Sequence, residues 1–108
     1  PVTPDDLRVA GFLYARRALS FLEELPAGQS WVGDLSASAD PDQALLQAVR
    51  LREADPGLVD ALSRDERARR RVCAILGGSQ WLGDYVIADP ARAAAINEDP
   101  GYPLNVLY

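Results

Sequence analysis

A helix-capping side chain stands directly before a proline at Thr3-Pro4, Asp40-Pro41, Asp55-Pro56 and Asp89-Pro90. A Thr or Asp oxygen accepts one of the amide hydrogens left over at a helix start, and proline at the first helical position sacrifices no hydrogen bond. Ser63 with Glu66 has the spacing of a reciprocal capping box, and Asp40 with Gln43 comes close to one. Five or more helix starts in 108 residues leave room only for short helices and tight connections. No run of alternating β-branched residues competes with them. The expected fold is all-α: a compact bundle of about six to eight short helices, one domain spanning residues 1–108.

The stretch from Ser63 to Pro90 is the expected organising unit. Ala68, Val72, Ile75 and Leu76 recur at helical spacing, and Trp81, Leu82, Tyr85 and Val86 repeat it after Gly77-Gly78-Ser79. Burying a large apolar side chain is worth roughly 1.5–3 kcal/mol, an exposed ion pair only about 0–1 kcal/mol. The two stripes should therefore clamp together across the glycine hinge, with Trp81 in the core. Upstream, a helix begins at Thr3 and weakens near Gly11, and Leu13, Ala18, Leu19, Leu22 and Leu25 form a second face that ends at Pro26-Ala27-Gly28. A short helix from about Ser30 carries Trp31, Val32 and Leu35. Asp40 opens the clearest amphipathic helix, with Ala44, Leu45, Ala48, Val49 and Leu51 near one face, and Pro56 starts another with Leu58, Val59 and Leu62. Asp89-Pro90 should cap an alanine-rich helix reaching about Asn97. After the turn at Asp99-Pro100-Gly101, the apolar tail Tyr102–Tyr108 either docks on the bundle or leads into a neighbour.

Composition enters mainly by exclusion. All eleven basic residues are arginine, with no lysine and no histidine. A Ser-His-Asp triad, a histidine metal site, a P-loop lysine and a lysine Schiff base are each impossible within this chain. The formal charge of −5 argues against nucleic-acid binding, whose affinity comes mostly from a basic face. No apolar run approaches the length of a membrane span, and no signal segment opens the chain. Cys73 is the only cysteine, so no intramolecular disulfide forms; a reducing, cytoplasmic location is expected. A start at Pro1 fits either a removed initiator methionine or a piece of something longer.

Arg64, Arg67, Arg69, Arg70 and Arg71 make the only basic cluster, with a net charge of +3 over residues 64–71. It reads either as a solvated helix face or as a contact for an anion or an acidic partner. The candidate contact surface comprises these five arginines with Tyr102 and Tyr108 of the tail. Gly77-Gly78-Ser79 lacks the preceding strand and the lysine of a phosphate loop. As a DNA-reading helix-turn-helix it fails at Asp84, where an apolar core residue is needed. A paired-aspartate metal site fails as well, because the second position after Asp84 is Val86. Cys73, on an apolar helix face without a histidine to activate it, reads as a buried inert thiol. Trp31, Trp81 and Tyr85 read as core; the alternative is a bundle groove that they line for an apolar or peptide ligand.

Two segments nevertheless look familiar. Asp40-Pro41-Asp42-Gln43-Ala44-Leu45-Leu46, continuing to Arg50-Leu51, resembles a DPDxALL…RL pattern. Leu76-Gly77-Gly78-Ser79-Gln80-Trp81-Leu82-Gly83-Asp84, ending at Asp89-Pro90, resembles LGxSxxLGD…HP, with Asp89 in place of the histidine. Together they resemble the N-terminal helical region of the bifunctional glutamine synthetase adenylyltransferase/adenylyl-removing enzymes of actinobacterial type, over about residues 35–92. The resemblance implies a helical lead-in to a nucleotidyltransferase domain, in an enzyme using ATP and Mg²⁺ to control nitrogen assimilation. The family's Gly-Ser loop and paired aspartates lie outside this chain's matching region, so no catalytic, cofactor or metal residue is carried over. The expected role is non-catalytic: packing against the nucleotidyltransferase domain in cis, or contacting glutamine synthetase or a PII-type regulator, with no nucleic-acid or membrane partner. A stand-alone helical binding module is the alternative.

Overall fold

The computed structural model describes residues 2–93. Among the described residues there are seven α-helices, a 3-10 turn and no strand. The caps appear where local chemistry demands them. Thr3 starts α1 (Pro4–Val9) with a reciprocal box: its Oγ1 accepts from the Asp6 amide at 3.2 Å, and Asp6 Oδ2 accepts from the Thr3 amide at 2.9 Å. The chain then turns at Gly11, whose φ of +107° suits glycine, and enters α2 (Ala15–Leu22). A 3-10 turn over Gly28–Trp31 runs directly into α3 (Val32–Ser36), so the helix expected from about Ser30 is split into two short pieces.

Asp40 caps α4 (Pro41–Ala54), Asp55 caps α5 (Pro56–Ser63) and Ser79 caps α7 (Gln80–Ala88), each accepting a backbone amide three residues on. The expected Ser63–Glu66 box does not form. Asp65 takes the cap position of α6 (Glu66–Gly78) and accepts from the Ala68 amide at 3.1 Å, while the Ser63 hydroxyl donates to the Asp60 carbonyl one turn back. Asp, being ionised, is the stronger acceptor at a helix N-terminus. Asp89 ends α7 instead of opening a new element within reach of description; only Arg92 and Ala93 are helical beyond it. The rest of the alanine-rich helix, and the tail with Tyr102 and Tyr108, lie outside the described residues.

α4 is the axis of the fold. It packs most extensively on α6, then on α7, α5, α2 and α3. Ala44, Leu45, Ala48 and Leu51 are all buried on it, and around them close Leu7, Phe12, Ala18, Leu22, Trp31, Leu35, Val59, Leu62, Val72, Cys73 and Leu76. The buried Trp31 keeps its one polar group satisfied, donating Nε1–H to the Pro26 carbonyl at 3.1 Å.

The clamp across the hinge differs from expectation in two ways. First, α6 runs through both glycines, and the chain changes direction at Ser79, which is extended (φ −151°, ψ 115°). Gly77 serves packing: a Cβ there would lie 2.6 Å from Ser38 Cβ and 3.0 Å from Ala44 Cβ. Second, Ala68, Val72, Leu76 and Val86 are buried as expected, but Ile75 is only half-buried and the aromatic stripe of α7 faces solvent. Trp81 is 70% exposed, Tyr85 45% and Leu82 39%. The inward face of α7 is instead Gly83 and Val86, with Ile87 partly covered. Gly83 lets the helix approach Gln47 of α4 so closely that its small side turns inward and Trp81 is turned out.

Candidate interaction surface

The candidate contact surface was Arg64, Arg67, Arg69, Arg70 and Arg71 with Tyr102 and Tyr108, which lie outside the described residues; the structure gives the arginines different surroundings. Arg69 is buried, at 7% exposure: its Nε donates to Asp34 Oδ2 at 2.6 Å and its Nη1 to the Ser63 carbonyl at 2.9 Å. Its guanidinium also lies 5.9 Å from the Trp31 ring centre. Arg69 thus ties α3 to the end of α5 and is withdrawn from any contact surface. Arg64 pairs with Asp60 and Arg70 with Glu66, each one turn back on its own helix, and Arg70 Nε also lies 3.5 Å from Asp34. Arg67 is exposed. These are solvated helix charges of modest worth. Of Trp31, Trp81 and Tyr85, expected in the core, only Trp31 is buried; the other two stack on each other on the outside of α7, ring centres 5.5 Å apart, so the three do not line the alternative common groove.

What the residues do build lies along one edge of α4. Asp42 Oδ2 accepts from the Leu13 amide at 2.7 Å and Oδ1 from the Tyr14 amide at 3.3 Å. α2 has no side-chain cap; Asp42 instead fixes, from another helix, the two amides that lead into it. One residue on, Gln43 Nε2 donates to the Leu76 carbonyl at 3.0 Å, near the end of α6. A turn further, Gln47 Nε2 donates to Asp84 Oδ1 at 3.0 Å, and Arg50 Nη1 reaches both Gln47 Oε1 (2.8 Å) and Asp84 Oδ1 (3.1 Å). The hydrogen bond from Gln47, then Arg50, holds the Asp84 carboxyl below its ordinary range against the opposing effect of desolvation. The sequence reading weighed Asp84 only for metal chemistry and DNA reading. A carboxylate and an amide 37 residues apart leave no local sign that they will meet.

Beside this polar edge opens a cleft of about 380 Å³ between α2, α4 and α7. Its wall carries Leu13 (84% exposed), Tyr14 (59%) and Leu46 (39%), with Arg17, Arg50 and Gln80 among its polar members. Leu13 was expected on the inward face of the second helix; the turn after Gly11 sends Phe12 into the core in its stead. Cys73 sits at the centre of the bundle, its thiol pushed up to about 12 chiefly by burial and next by the Asp34 charge. Among the described residues no group of three or more His, Cys, Asp or Glu is placed to hold a metal ion. No helix among them is long and apolar enough to cross a membrane.

Comparison with known proteins gives this arrangement a context. The chain is 47% identical over 60 residues to the bifunctional glutamine synthetase adenylyltransferase/adenylyl-removing enzyme of Mycobacterium avium. To the enzymes of the same name from Corynebacterium glutamicum and Nocardia farcinica it is 38% identical over 66 residues and 43% over 61. Over that half of its length the chain resembles the adenylyltransferases. The matches cover 52–54% of this chain but only 6% of each relative. The chain thus spans a small fraction of the length of the adenylyltransferases it matches. No family model matches the chain, and no solved structure does.

The two segments that carry the adenylyltransferase resemblance meet in space. Asp40–Leu51 lies on α4 and its cap, Leu76–Pro90 on the end of α6 and on α7, and their polar groups satisfy one another through Gln43, Gln47, Arg50 and Asp84. Leu46, Trp81, Leu82 and Tyr85 are the large apolar members of those segments that remain exposed.

Proposed function

We propose that this chain is a non-catalytic helical portion of a longer enzyme of adenylyltransferase type, and that it packs against and orients a nucleotidyltransferase domain. One observation carries the reading: the resembling segments use their polar residues to fasten α4 to α6 and α7, which is scaffold work, and present apolar Leu46 and Leu82 outward. On α7 the exposed Trp81 and Tyr85 stack on each other as well, and large apolar groups that adjoin one another at a surface mark contact sites. In that setting ATP and Mg²⁺ belong to the neighbouring domain, glutamine synthetase and a PII-type regulator are the further partners, and the enzyme works in the cytoplasm.

The test begins with the gene. A reading frame that continues into a Gly-Ser loop and a strand with paired aspartates supports the proposal, and a stop after Tyr108 overturns it in favour of the stand-alone binding module. With the longer protein in hand, transfer of AMP to glutamine synthetase is measured for the intact enzyme and for Leu46→Ser and Leu82→Ser. Loss of activity with unchanged secondary structure supports an orienting role; full activity in both variants removes it.

A further inference from the structure

We propose that α7 is a strap: it opens from α4 and α6 as a unit while the rest of the bundle stays folded, and the contact of Asp84 with Gln47 and Arg50 is its latch. The opening itself does not rest on the adenylyltransferase reading; its use does. Of the nine residues of α7 only Gly83 and Val86 are buried, and glycine brings no side chain. Val86, with the partly covered Ile87, is therefore the main apolar anchorage of the helix among the described residues. The α6 helix beneath it buries Ala68, Val72, Cys73 and Leu76. Elements that open before the whole fold are those with few buried apolar contacts.

The remaining hold is polar and wet. Asp84 Oδ1 accepts from Gln47 Nε2 and from Arg50 Nη1, and both charged side chains are 47% exposed, so dissolved salt screens the pair. A hinge stands at one end: Ser79 is extended between α6 and α7, and beside it Gly78 has open space where a Cβ would stand. Off the bundle, a helix as short as α7 does not persist in water, so opening also melts it. The use of the strap follows from its outer face. Trp81 and Tyr85 stack one turn apart because α7 is helical. In the longer enzyme the neighbouring domain seats on that face; it therefore binds the closed strap alone and draws the equilibrium shut.

Hydrogen exchange of the full chain, followed amide by amide by NMR in rising urea, tests the opening; its failure leaves the adenylyltransferase reading standing. The amides of residues 85–88 should open at least about tenfold more often than the slowest amides of α4. They should also respond weakly to urea, because opening the strap exposes little surface. Asp84→Ala should raise the opening of α7 about tenfold, as loss of a charged hydrogen bond does, and added salt should act in the same direction. Val59→Ala, in the core on α5, should speed exchange in α4 through global unfolding and leave α7 unchanged. Exchange of α7 and α4 at one rate with one urea dependence would overturn the proposal. So would an α7 that follows Val59→Ala, or one indifferent to Asp84→Ala.

Discussion

A guanidinium as enclosed as that of Arg69 is tolerated because its polar sides are met: Asp34 takes Nε–H and carbonyls at the end of α5 take Nη1. Removing one member of a buried pair strands the other charge, so Arg69→Ser should cost about 3–5 kcal/mol. Arg70→Ser, which breaks mainly exposed pairs, should cost less than about 1 kcal/mol. Urea midpoints distinguish them; equal and small losses would show the Asp34 carboxylate to be hydrated in spite of its burial. Trp81 reverses the usual ranking of residue types. Truncating a core tryptophan costs about 3–5 kcal/mol, but at 70% exposure Trp81→Ala should change stability by no more than about 1 kcal/mol. A large loss by the same measurement would place the indole in the core after all. Asp84 carries a pH signature. Its folded carboxyl titrates below the unfolded value of about 3.9. The stability it contributes is therefore present above that pH and lost as pH falls through the folded value. Stability measured in urea at a series of acidic pH values should fall less steeply for Asp84→Asn than for the unaltered chain, and parallel curves would remove Asp84 from the account.

Between elements, closeness of approach is set by glycine. A Cβ on Gly83 would lie 2.9 Å from Gln47 Nε2, the atom that donates to Asp84. Gly83→Ala should therefore displace the Gln47 amide from Asp84, and the lost hydrogen bond should cost about 0.5–1.5 kcal/mol. Gly33 is the control, on exposed α3 with open space where its Cβ would stand. Gly33→Ala should stabilise by about 0.4–1 kcal/mol through the unfolded chain. Melting temperatures moving in opposite directions meet the expectation, and a neutral Gly83→Ala would mean that the α4–α7 contact is loose. Capping works at the same scale. Most helices carry their own cap within the adjoining residue, whereas the entry to α2 is held by Asp42 of a helix that begins far along the chain. In the DPD segment Asp40 thus caps α4 while Asp42 anchors the chain leading into α2.

For the molecule as a whole, Cys73 reports the integrity of the bundle. It is fully buried, and its thiol, pushed up to about 12, is protonated at neutral pH and closed to reagents. Reaction with a disulfide reagent at about pH 8 should be far slower in the folded chain than in urea, and should accelerate only as the whole fold opens. Labelling at the speed of the unfolded chain would show that α6 leaves the core on its own. The same geometry explains why the molecule's surface is uneven. α4 is enclosed by five other helices, while α7 covers it from one side only and leaves Trp81, Leu82 and Tyr85 without cover among the described residues.

Where helices begin, and that the chain is all-α, was decided locally: a capping oxygen, a proline and an amide within three residues of each other meet whatever the remainder of the chain does. Thr3, Asp40 and Asp55 were legible for that reason. Which way a helix faces is a different matter. The spacing of Trp81, Leu82, Tyr85 and Val86 and that of Gly83, Val86 and Ile87 are both helical stripes, and a rotation about the axis of α7 exchanges one for the other. Only the fit of Gly83 against Gln47 chose between them. The burial of Arg69 and the cleft walled by Leu13, Tyr14 and Leu46 depend likewise on partners 28 to 35 residues away. Contacts at that separation are settled by packing of the folded chain, because no hydrogen bond or apolar spacing within a single helix encodes them.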